Sequence, residues 1–286
     1  MTGVAVIGAA GRTGRHVLAA LARRGCAATA LIHRPEQADV ALEHGAVATT
    51  VVDLEDPASV RAALDGVTRV HIVPPLFHPD EAALVDTVVR AAQDVGAERL
   101  TYQSVLHPDT PGLPHHQRKS AAEAAIRASS LTWSIVRPAM YAQTVLLYVR
   151  DDTDVVGVPY SLDAPFTVID VADVADASAA VVLGDGHAFA TYELAGPELL
   201  SMGELIARAG ATLGRRLTGC VIDPWDSTVP MEWTRSAWAD VCAMWSHYDA
   251  HGLVGNPAGA RITLGREPAS FAEAIARSQP TLSRPS

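Results

Sequence analysis

The chain has 286 residues, 49% of them hydrophobic, and a formal net charge of −10 at pH 7. This length can bury a large core, either as one domain or as one domain with a smaller lobe. The net negative charge, without a basic patch, argues against nucleic acid as a partner. The spacing of the three cysteines fits neither a disulfide framework nor a metal site. No apolar run is long enough to span a bilayer and no signal-like segment opens the chain, so we expect a cytoplasmic protein that is not membrane-bound.

Strand-like and helix-like segments alternate through the first half of the chain. Residues 4–7 form a short apolar run that ends at Gly8, and a helical pattern over residues 15–24 ends at Gly25. The alternation predicts a doubly wound parallel sheet with helices on both faces, the α/β Rossmann arrangement. Further strands are predicted at residues 27–32, 47–52, 69–73, 99–104 and 132–137, and further helices at residues 35–44, 57–64, 80–95 and 117–129.

The alternation loosens beyond residue 140. We expect a helix over residues 174–183, a short strand over 191–194, and a helix that begins at Ser201, where Ser201 and Glu204 have the spacing of a capping box. Four of the five tryptophans then fall between Trp225 and Trp245. This half predicts a smaller C-terminal α/β lobe, with some of its strands returning to the main sheet.

A glycine-rich loop lies between the first strand and the first helix, with Gly8, Gly11 and Gly14 spaced three residues apart. In such a loop the first glycine permits a tight turn, the second lets the backbone approach a pyrophosphate, and the third lets the helix pack closely on the strand. Backbone N–H groups at the helix start then face the phosphates. The residues expected to bind a dinucleotide here are Gly8, Ala10, Gly11, Arg12, Thr13 and Gly14.

The end of the second strand favours NADP(H) over NAD(H). NAD-selective sites place a carboxylate here for the ribose 2′-hydroxyl, whereas this chain has Arg34. Arg12 and Arg34 together suit a 2′-phosphate, because a guanidinium matches phosphate oxygens; the alternative is two solvated surface arginines. At the end of the third strand, Asp53 and Leu54 are expected to contact the adenine, although Asp also begins turns.

These features together resemble the atypical short-chain dehydrogenase/reductases of the NmrA-like group, over nearly the whole chain. The resemblance implies an NADP-binding Rossmann domain at residues 1–140 and a substrate-binding or lid lobe at residues 141–286. The group includes quinone and ketone reductases as well as dinucleotide sensors that regulate partners without turnover. The residues that carry the resemblance are 8–14, 34–35, 53–54, 73–75, 137–141, 170–175 and 192–197.

The resemblance also implies the nicotinamide and substrate side of the site. Val73, Pro74 and Pro75 should lie near the nicotinamide ribose, and residues 138–141 should line the nicotinamide and the substrate. From the sequence, the aromatic stretch that includes Trp225 is expected either to stack a flat substrate or to form the core of the lobe. The residues expected to line the cofactor and substrate pocket are Pro138, Met140, Tyr141, Phe166 and Trp225.

The catalytic positions depart from the wider superfamily, which uses a Ser and a Tyr-x-x-x-Lys. Ser104 and Lys119 stand at the matching places, but His115 stands where the Tyr should be. Three hypotheses follow: His115 (or His116) is a general acid, the proton comes from water or the substrate's own phenol, or the site is catalytically inactive. Lys119 binds the ribose under all three, unless it is a surface lysine.

The sequence therefore predicts an NADPH-dependent reductase that transfers hydride to a ketone or quinone carbonyl of an aromatic or polycyclic small molecule. We expect a monomer or a homodimer, and no bound metal. The first alternative is a non-catalytic NADP(H)-sensing regulatory protein, which the missing Tyr favours. An epimerase or dehydratase ranks last, because such enzymes also need the Tyr.

Overall fold

The computed structural model describes residues 3–223 and 234–282, and it divides into two compact units. The first unit comprises Met1–Thr110, His116–Arg137 and Val174–Tyr192; the second comprises Pro111–His115, Pro138–Asp173 and Glu193–Ser286. The chain thus passes between the units several times, and the main boundary near residue 140 stays a prediction.

A seven-stranded sheet organises the described part of the chain. Across the sheet, the strands lie in the order β3-β2-β1-β4-β5-β6-β9. β1 pairs in parallel with β2 and with β4, and the pairs β2–β3, β4–β5 and β5–β6 are also parallel. The first six positions follow the Rossmann order, in which the direction of winding reverses between β1 and β4. The strands are β1 (Val4–Ile7), β2 (Ala28–Ile32), β3 (Ala46–Val51), β4 (Arg69–Ile72), β5 (Arg99–Gln103), β6 (Thr132–Pro138) and β9 (Ala190–Leu194).

Helices cover both faces of this sheet and bury two apolar layers. One layer joins strand residues such as Ile7 and Leu100 to Val88 and Ile126, and the other joins Val6 to residues of the first and sixth helices. Burial of these layers supplies the main stabilisation of the first unit. The helices are α1 (Arg12–Arg23), α2 (Ala38–Glu43), α3 (Pro57–Ala63), α4 (Glu81–Asp94), α5 (Pro114–Ala128) and α6 (Val171–Leu183), with a 3-10 turn at Pro35–Gln37.

Two arginines at the amino ends of adjacent strands cap the carboxyl end of α6. Arg69 donates to the carbonyl oxygens of Val182 and Leu183 at 2.9 and 2.6 Å, and Arg99 donates to the carbonyl of Gly184. The last carbonyls of a helix have no partner within the helix, so these guanidinium groups satisfy them and favour the negative helix end.

The second unit is built from shorter elements. β7 (Val155–Val158) pairs in parallel with β11 (Thr218–Val221), and β8 (Pro165–Phe166) pairs antiparallel with β10 (Leu200–Ser201). The predicted capping box is confirmed, since Ser201 and Glu204 exchange hydrogen bonds at the start of α7. The helices are α7 (Met202–Leu213), α8 (Arg235–His251), α9 (Ala258–Leu264) and α10 (Phe271–Leu282), with a 3-10 segment at Ala142–Tyr148. None of the described helices combines the length and apolar character needed to cross a membrane.

Candidate active site

The glycine loop forms a tight cradle at the carboxyl edge of the sheet. Gly8 has φ +69°, and a Cβ there would lie 2.2 Å from the carbonyl oxygen of Val73. A Cβ at Gly14 would lie 2.2 Å from the carbonyl oxygen of Gly8. Both positions therefore exclude a side chain. A Cβ at Gly11 would meet only the Gly8 carbonyl oxygen, at 3.2 Å. The surrounding backbone therefore restricts a side chain less at Gly11 than at Gly8 or Gly14.

The start of α1 is suited to an anion. Gly11 is the N-cap and has no side chain with which to cap the helix, and the first turn contains no acidic residue. The backbone N–H groups of a helix start carry partial positive charge, and an uncapped start leaves them available to a phosphate. Because β1 and β4 are neighbours at the point where the winding reverses, the loop faces the crevice where ligands of this fold bind.

The two arginines proposed for a 2′-phosphate are exposed. Arg12 opens α1, and Arg34 follows β2, the strand next to β1. The side chain of Gln37 accepts from the backbone N–H groups of His33 and Arg34 at 3.0 and 3.1 Å, which fixes the backbone of this loop. Within residues 3–223 and 234–282, neither guanidinium makes an ion pair with a carboxylate, so both charges remain available for a ligand.

The carboxyl ends of β3 and β4 hold the other residues predicted for the cofactor. Asp53 is exposed and forms a turn, because one carboxylate oxygen accepts from the N–H of Glu55 at 2.9 Å. Leu54 is half-buried beside it. Val73 donates its N–H to the carbonyl of Ile7, which holds the end of β4 against the glycine loop. Pro74 is half-buried and Pro75 is exposed.

Lys119 is not a surface lysine. Its side chain is 8% exposed, and its Nζ lies 2.7 Å from Oε1 of Glu81, a residue with no exposed surface. The hydroxyl of Tyr102 donates to the same Oε1 at 2.6 Å. Burial lowers the pKa of Lys119 from its usual value, and the attraction of Glu81 only partly offsets this. Burial and the nearby Glu81 carboxylate raise the pKa of Tyr102 well above its usual value.

Ser104 belongs to a second buried polar group. Its backbone N–H donates to the carbonyl of Val136, which continues the β5–β6 pairing, and its side chain lies beside Glu123 of α5. Burial opposes ionisation of Glu123, but hydrogen bonds from Arg137 and Arg127 outweigh it and hold the pKa of this carboxyl below its usual value. The ion pair between Arg137 of β6 and Glu123 of α5 thus holds the end of β6, the strand that pairs with Ser104.

The two histidines proposed as proton donors lie inside α5 rather than before it. The helix begins at Pro114, three residues earlier than predicted, because proline suits the first helical position. His115 is 5% exposed and His116 is completely buried. Nδ1 of His116 lies 2.9 Å from the carbonyl oxygen of His107, which gives His116 a contact with the loop before the helix.

The residues predicted for the substrate lie in the second unit or outside the described residues. Met140 accepts from the N–H of Ile169 at 3.0 Å through its backbone, and Tyr141 is half-buried. Pro138 is the last residue of β6 and is buried. Trp225 lies outside the described residues.

Phe166 is part of the core of the second unit. It has no exposed surface, and its ring centroid lies 5.6 Å from that of Tyr160 and 6.2 Å from that of Tyr248. A completely buried ring offers no surface to a substrate, so Phe166 is not part of the proposed site. In the described part of the aromatic stretch, Tyr248 is buried, whereas Trp238 and Trp245 are half-buried and meet edge to face.

Glu81 is the main site residue that sequence reasoning missed. An acidic residue in the first turn of a helix is common, because it complements the helix dipole, and nothing nearby marks it as buried. The usable signal was Lys119 itself, since a lysine on the apolar side of a helix needs a buried partner. In the described part of the chain, no group of three or more His, Cys, Asp or Glu side chains is arranged to hold a metal.

The strand order and the glycine cradle define a Rossmann-type α/β protein with a second unit built from later parts of the chain. The NmrA-like family matches residues 2–229, which is most of the sequence. The chain therefore belongs to the NmrA-like family, as its motifs predicted.

Two curated relatives and one solved structure show what the chain is similar to. It is 31% identical over 219 residues to the (4-alkanoyl-5-oxo-2,5-dihydrofuran-3-yl)methyl phosphate reductase of Streptomyces griseus, covering 75% of each protein. It is 26% identical over 217 residues to the NAD(P)H azoreductase of Xenophilus azovorans, covering 74% of each. The NADPH-dependent quinone oxidoreductase of Escherichia coli, solved with NADPH, has the same fold, with a TM-score of 0.84 at 22% identity over 96% of this chain and 99% of that one.

Proposed function

We propose that this chain is an NADPH-dependent reductase that transfers hydride to a ketone or quinone carbonyl of an aromatic or polycyclic substrate. The observation that carries the proposal is the glycine cradle before an uncapped helix start, flanked by two exposed arginines without ion-pair partners among the described residues. The names of the relatives support a reductase, since the curated relatives are an NAD(P)H azoreductase, a (4-alkanoyl-5-oxo-2,5-dihydrofuran-3-yl)methyl phosphate reductase and a quinone oxidoreductase.

The first unit fits NADP(H). Gly8, Gly11 and Gly14 let the backbone approach the pyrophosphate, and the start of α1 supplies N–H donors. Arg12 and Arg34 would bind the 2′-phosphate, which an acidic residue at the end of β2 would repel. The further residues proposed to hold the cofactor are Ala10, Thr13, Asp53, Leu54, Val73, Pro74, Pro75, Lys119 and Pro138.

The bound nicotinamide supplies the hydride, and the protein supplies orientation and charge. Lys119 has three N–H donors, of which Glu81 accepts one, so the ammonium can also donate to a ribose hydroxyl. Ser104 is proposed to bind the carbonyl oxygen and His115 to donate a proton to it. Met140, Tyr141 and Trp225 are proposed to contact the substrate.

The cofactor assignment is tested by replacing Arg34. Arg34→Ala should weaken NADPH binding roughly ten- to hundredfold, because it removes charge-assisted hydrogen bonds to the 2′-phosphate, and should leave NADH binding nearly unchanged. Arg90→Ala, which removes an exposed arginine on α4, is the matched control. Equal losses for both dinucleotides would contradict the assignment.

The proton donor is tested by replacing His115. With a naphthoquinone or a polycyclic aromatic ketone as acceptor, His115→Ala should lower turnover roughly a hundredfold or more if the imidazole is the general acid. NADPH binding should be unchanged. Turnover close to that of the unsubstituted protein would remove His115 from the mechanism and leave water or the substrate's own hydroxyl as the donor.

A second candidate is a dinucleotide-sensing regulator without turnover. The observation that favours it is the histidine in place of the superfamily's tyrosine, at a position that is 5% exposed. Such a protein would bind NADPH tightly and oxidise none of it with any acceptor.

A further inference from the structure

Three elements of the first unit meet at one buried carboxylate. Glu81 lies at the first position of α4, Tyr102 in β5 and Lys119 in the second turn of α5. Oε1 of Glu81 accepts from the Tyr102 hydroxyl at 2.6 Å and from Lys119 at 2.7 Å, and the lysine Nζ lies 5.6 Å from the centroid of the Tyr102 ring. We call these three residues the Glu81 cluster.

The position of the Glu81 cluster relates it to the cofactor cradle. In a parallel sheet, the helix that follows each strand begins at the carboxyl edge, and α4 follows β4 while α5 follows β5. The glycine loop lies at the same edge, after β1. Glu81 and Lys119 are therefore near the edge at which a dinucleotide binds, although neither is in the glycine loop.

We propose that Glu81 is a positioning residue that orients the Lys119 ammonium toward the nicotinamide ribose and keeps it charged. The inference rests on the proposed function, because it gives Lys119 the ribose as its ligand. A flexible lysine side chain loses rotamer freedom when it is fixed, and the contact with Glu81 fixes it before the cofactor arrives.

The charged groups around Lys119 explain why Glu81 matters. Desolvation acts against the ammonium, as does the neighbouring Arg118, whereas Glu81 and, less strongly, Glu123 favour it. Tyr102 is neutral and its hydroxyl donates a hydrogen bond to Glu81, so it shares the same carboxylate oxygen with Lys119 without changing the charge. Glu81 is thus the main group that opposes the effect of burial.

Glu81→Gln tests the proposal, because it keeps the shape of the side chain and removes its charge. The affinity for NADPH, measured by titration across a range of pH, should fall at a pH roughly 1–3 units lower in this variant, since an adjacent opposite charge shifts a pKa by about that much. Glu81→Asp, which keeps the charge, should restore the pH profile of the unsubstituted protein with weaker binding throughout. An unchanged profile in Glu81→Gln would overturn the proposal.

Asp173→Asn is the matched control for the loss of a buried ion pair. Asp173 has no exposed surface and pairs with Arg266 at 2.6 Å in the second unit. Its replacement should lower thermal stability without moving the pH profile of NADPH binding. A shift as large as that of Glu81→Gln would mean that the loss of any buried carboxylate moves the profile, and would overturn the proposal.

Acylation of Lys119 separates this inference from the proposed function. The rate of Lys119 labelling, followed by mass spectrometry against pH, reports its protonation without any cofactor. The pH midpoint of the labelling rate should be lower in Glu81→Gln than in the unsubstituted protein. In the unsubstituted protein, bound NADPH should protect Lys119 from acylation. If the unsubstituted protein does not bind NADPH, the proposed function fails; if it binds NADPH but the two midpoints are equal, only the role of Glu81 is overturned. If Glu81→Gln does not fold, an unsubstituted protein that binds NADPH without protection of Lys119 overturns the proposal.

Discussion

The three glycines of the cradle have different structural roles. A Cβ at Gly14 would come within 2.2 Å of a backbone oxygen that cannot move aside, whereas a Cβ at Gly11 would meet one at 3.2 Å. Gly11 has ordinary extended torsions, with φ −68° and ψ 166°, so alanine fits its backbone. Gly14 is therefore needed for folding, and we propose that Gly11 is needed for the approach of a ligand.

Substitution at these two positions should separate binding from folding. Gly11→Ala should keep the thermal unfolding midpoint within a few degrees and should abolish measurable NADPH binding, because in the proposed site the pyrophosphate lies against the Gly11 backbone, where a methyl group leaves it too little room. Gly14→Ala should lower the stability of the first unit by roughly 2 kcal/mol or more, as expected for overpacking against backbone. NADPH binding by Gly11→Ala at normal affinity would contradict the assignment of this loop.

At the scale of single residues, the sequence predicted positions better than contacts. The sequence predicts that Arg12, Arg34 and the glycines lie at one edge of the sheet, because they follow the ends of predicted strands. In a parallel sheet the carboxyl ends of the strands share one edge, so chain order alone is enough for this prediction. The Glu81 cluster was not predicted, because the contact between Glu81 and Lys119 depends on how α4 and α5 pack on β5. Asp53 shows a further limit, since one aspartate can both form a turn and face a ligand.

At the scale of elements, the capping of α6 should contribute measurably to stability. Arg69→Met removes two charge-assisted hydrogen bonds to the carbonyl oxygens of Val182 and Leu183 but keeps the aliphatic part of the side chain. We expect the free energy of unfolding to fall by about 2–4 kcal/mol, measured by chemical denaturation. Arg61→Met on the surface of α3 should change it by less than about 0.5 kcal/mol. Equal effects would show that the helix end needs no cap from Arg69.

The first half of the chain was predictable at this scale because each element carries a strong local pattern. Each predicted strand between residues 4 and 137 has a counterpart in the sheet, with ends that agree or differ by one residue. The two-residue strands β8 and β10 and the four-residue pair β7 and β11 were missed. Two residues are too few to show alternation, and both pairs form through contacts between distant parts of the chain.

At the scale of the whole molecule, a buried histidine should make folding stability depend on pH. His71 of β4 has no exposed surface and lies in register between Val6 and Thr101. Burial lowers the pKa of His71 from 6.5 to about 4. Above pH 6.5 the ring is neutral in both the folded and the unfolded chain, and its pKa shift has no effect on stability. Between pH 6.5 and about 4 the unfolded chain binds a proton that the folded chain does not, so stability falls with falling pH.

Replacement of this histidine should remove that loss. From the shift in pKa, His71 accounts for about 3 kcal/mol of the destabilisation on acidification, although other groups titrate in the same range. In His71→Gln, the free energy of unfolding should fall less over this interval than in the unsubstituted protein. His33→Gln, which replaces an exposed histidine, is the control. The same pH dependence in His71→Gln and in the unsubstituted protein would mean that His71 is protonated alike in both states.

The reductase assignment is tested most directly by the oxidation of NADPH by the purified chain in the presence of naphthoquinones, polycyclic aromatic ketones and simple ketones, with NADH in parallel. We predict turnover with at least one aromatic or polycyclic carbonyl, and a clear preference for NADPH. Tight binding of NADPH without oxidation by any of these acceptors would contradict the assignment and favour a dinucleotide sensor.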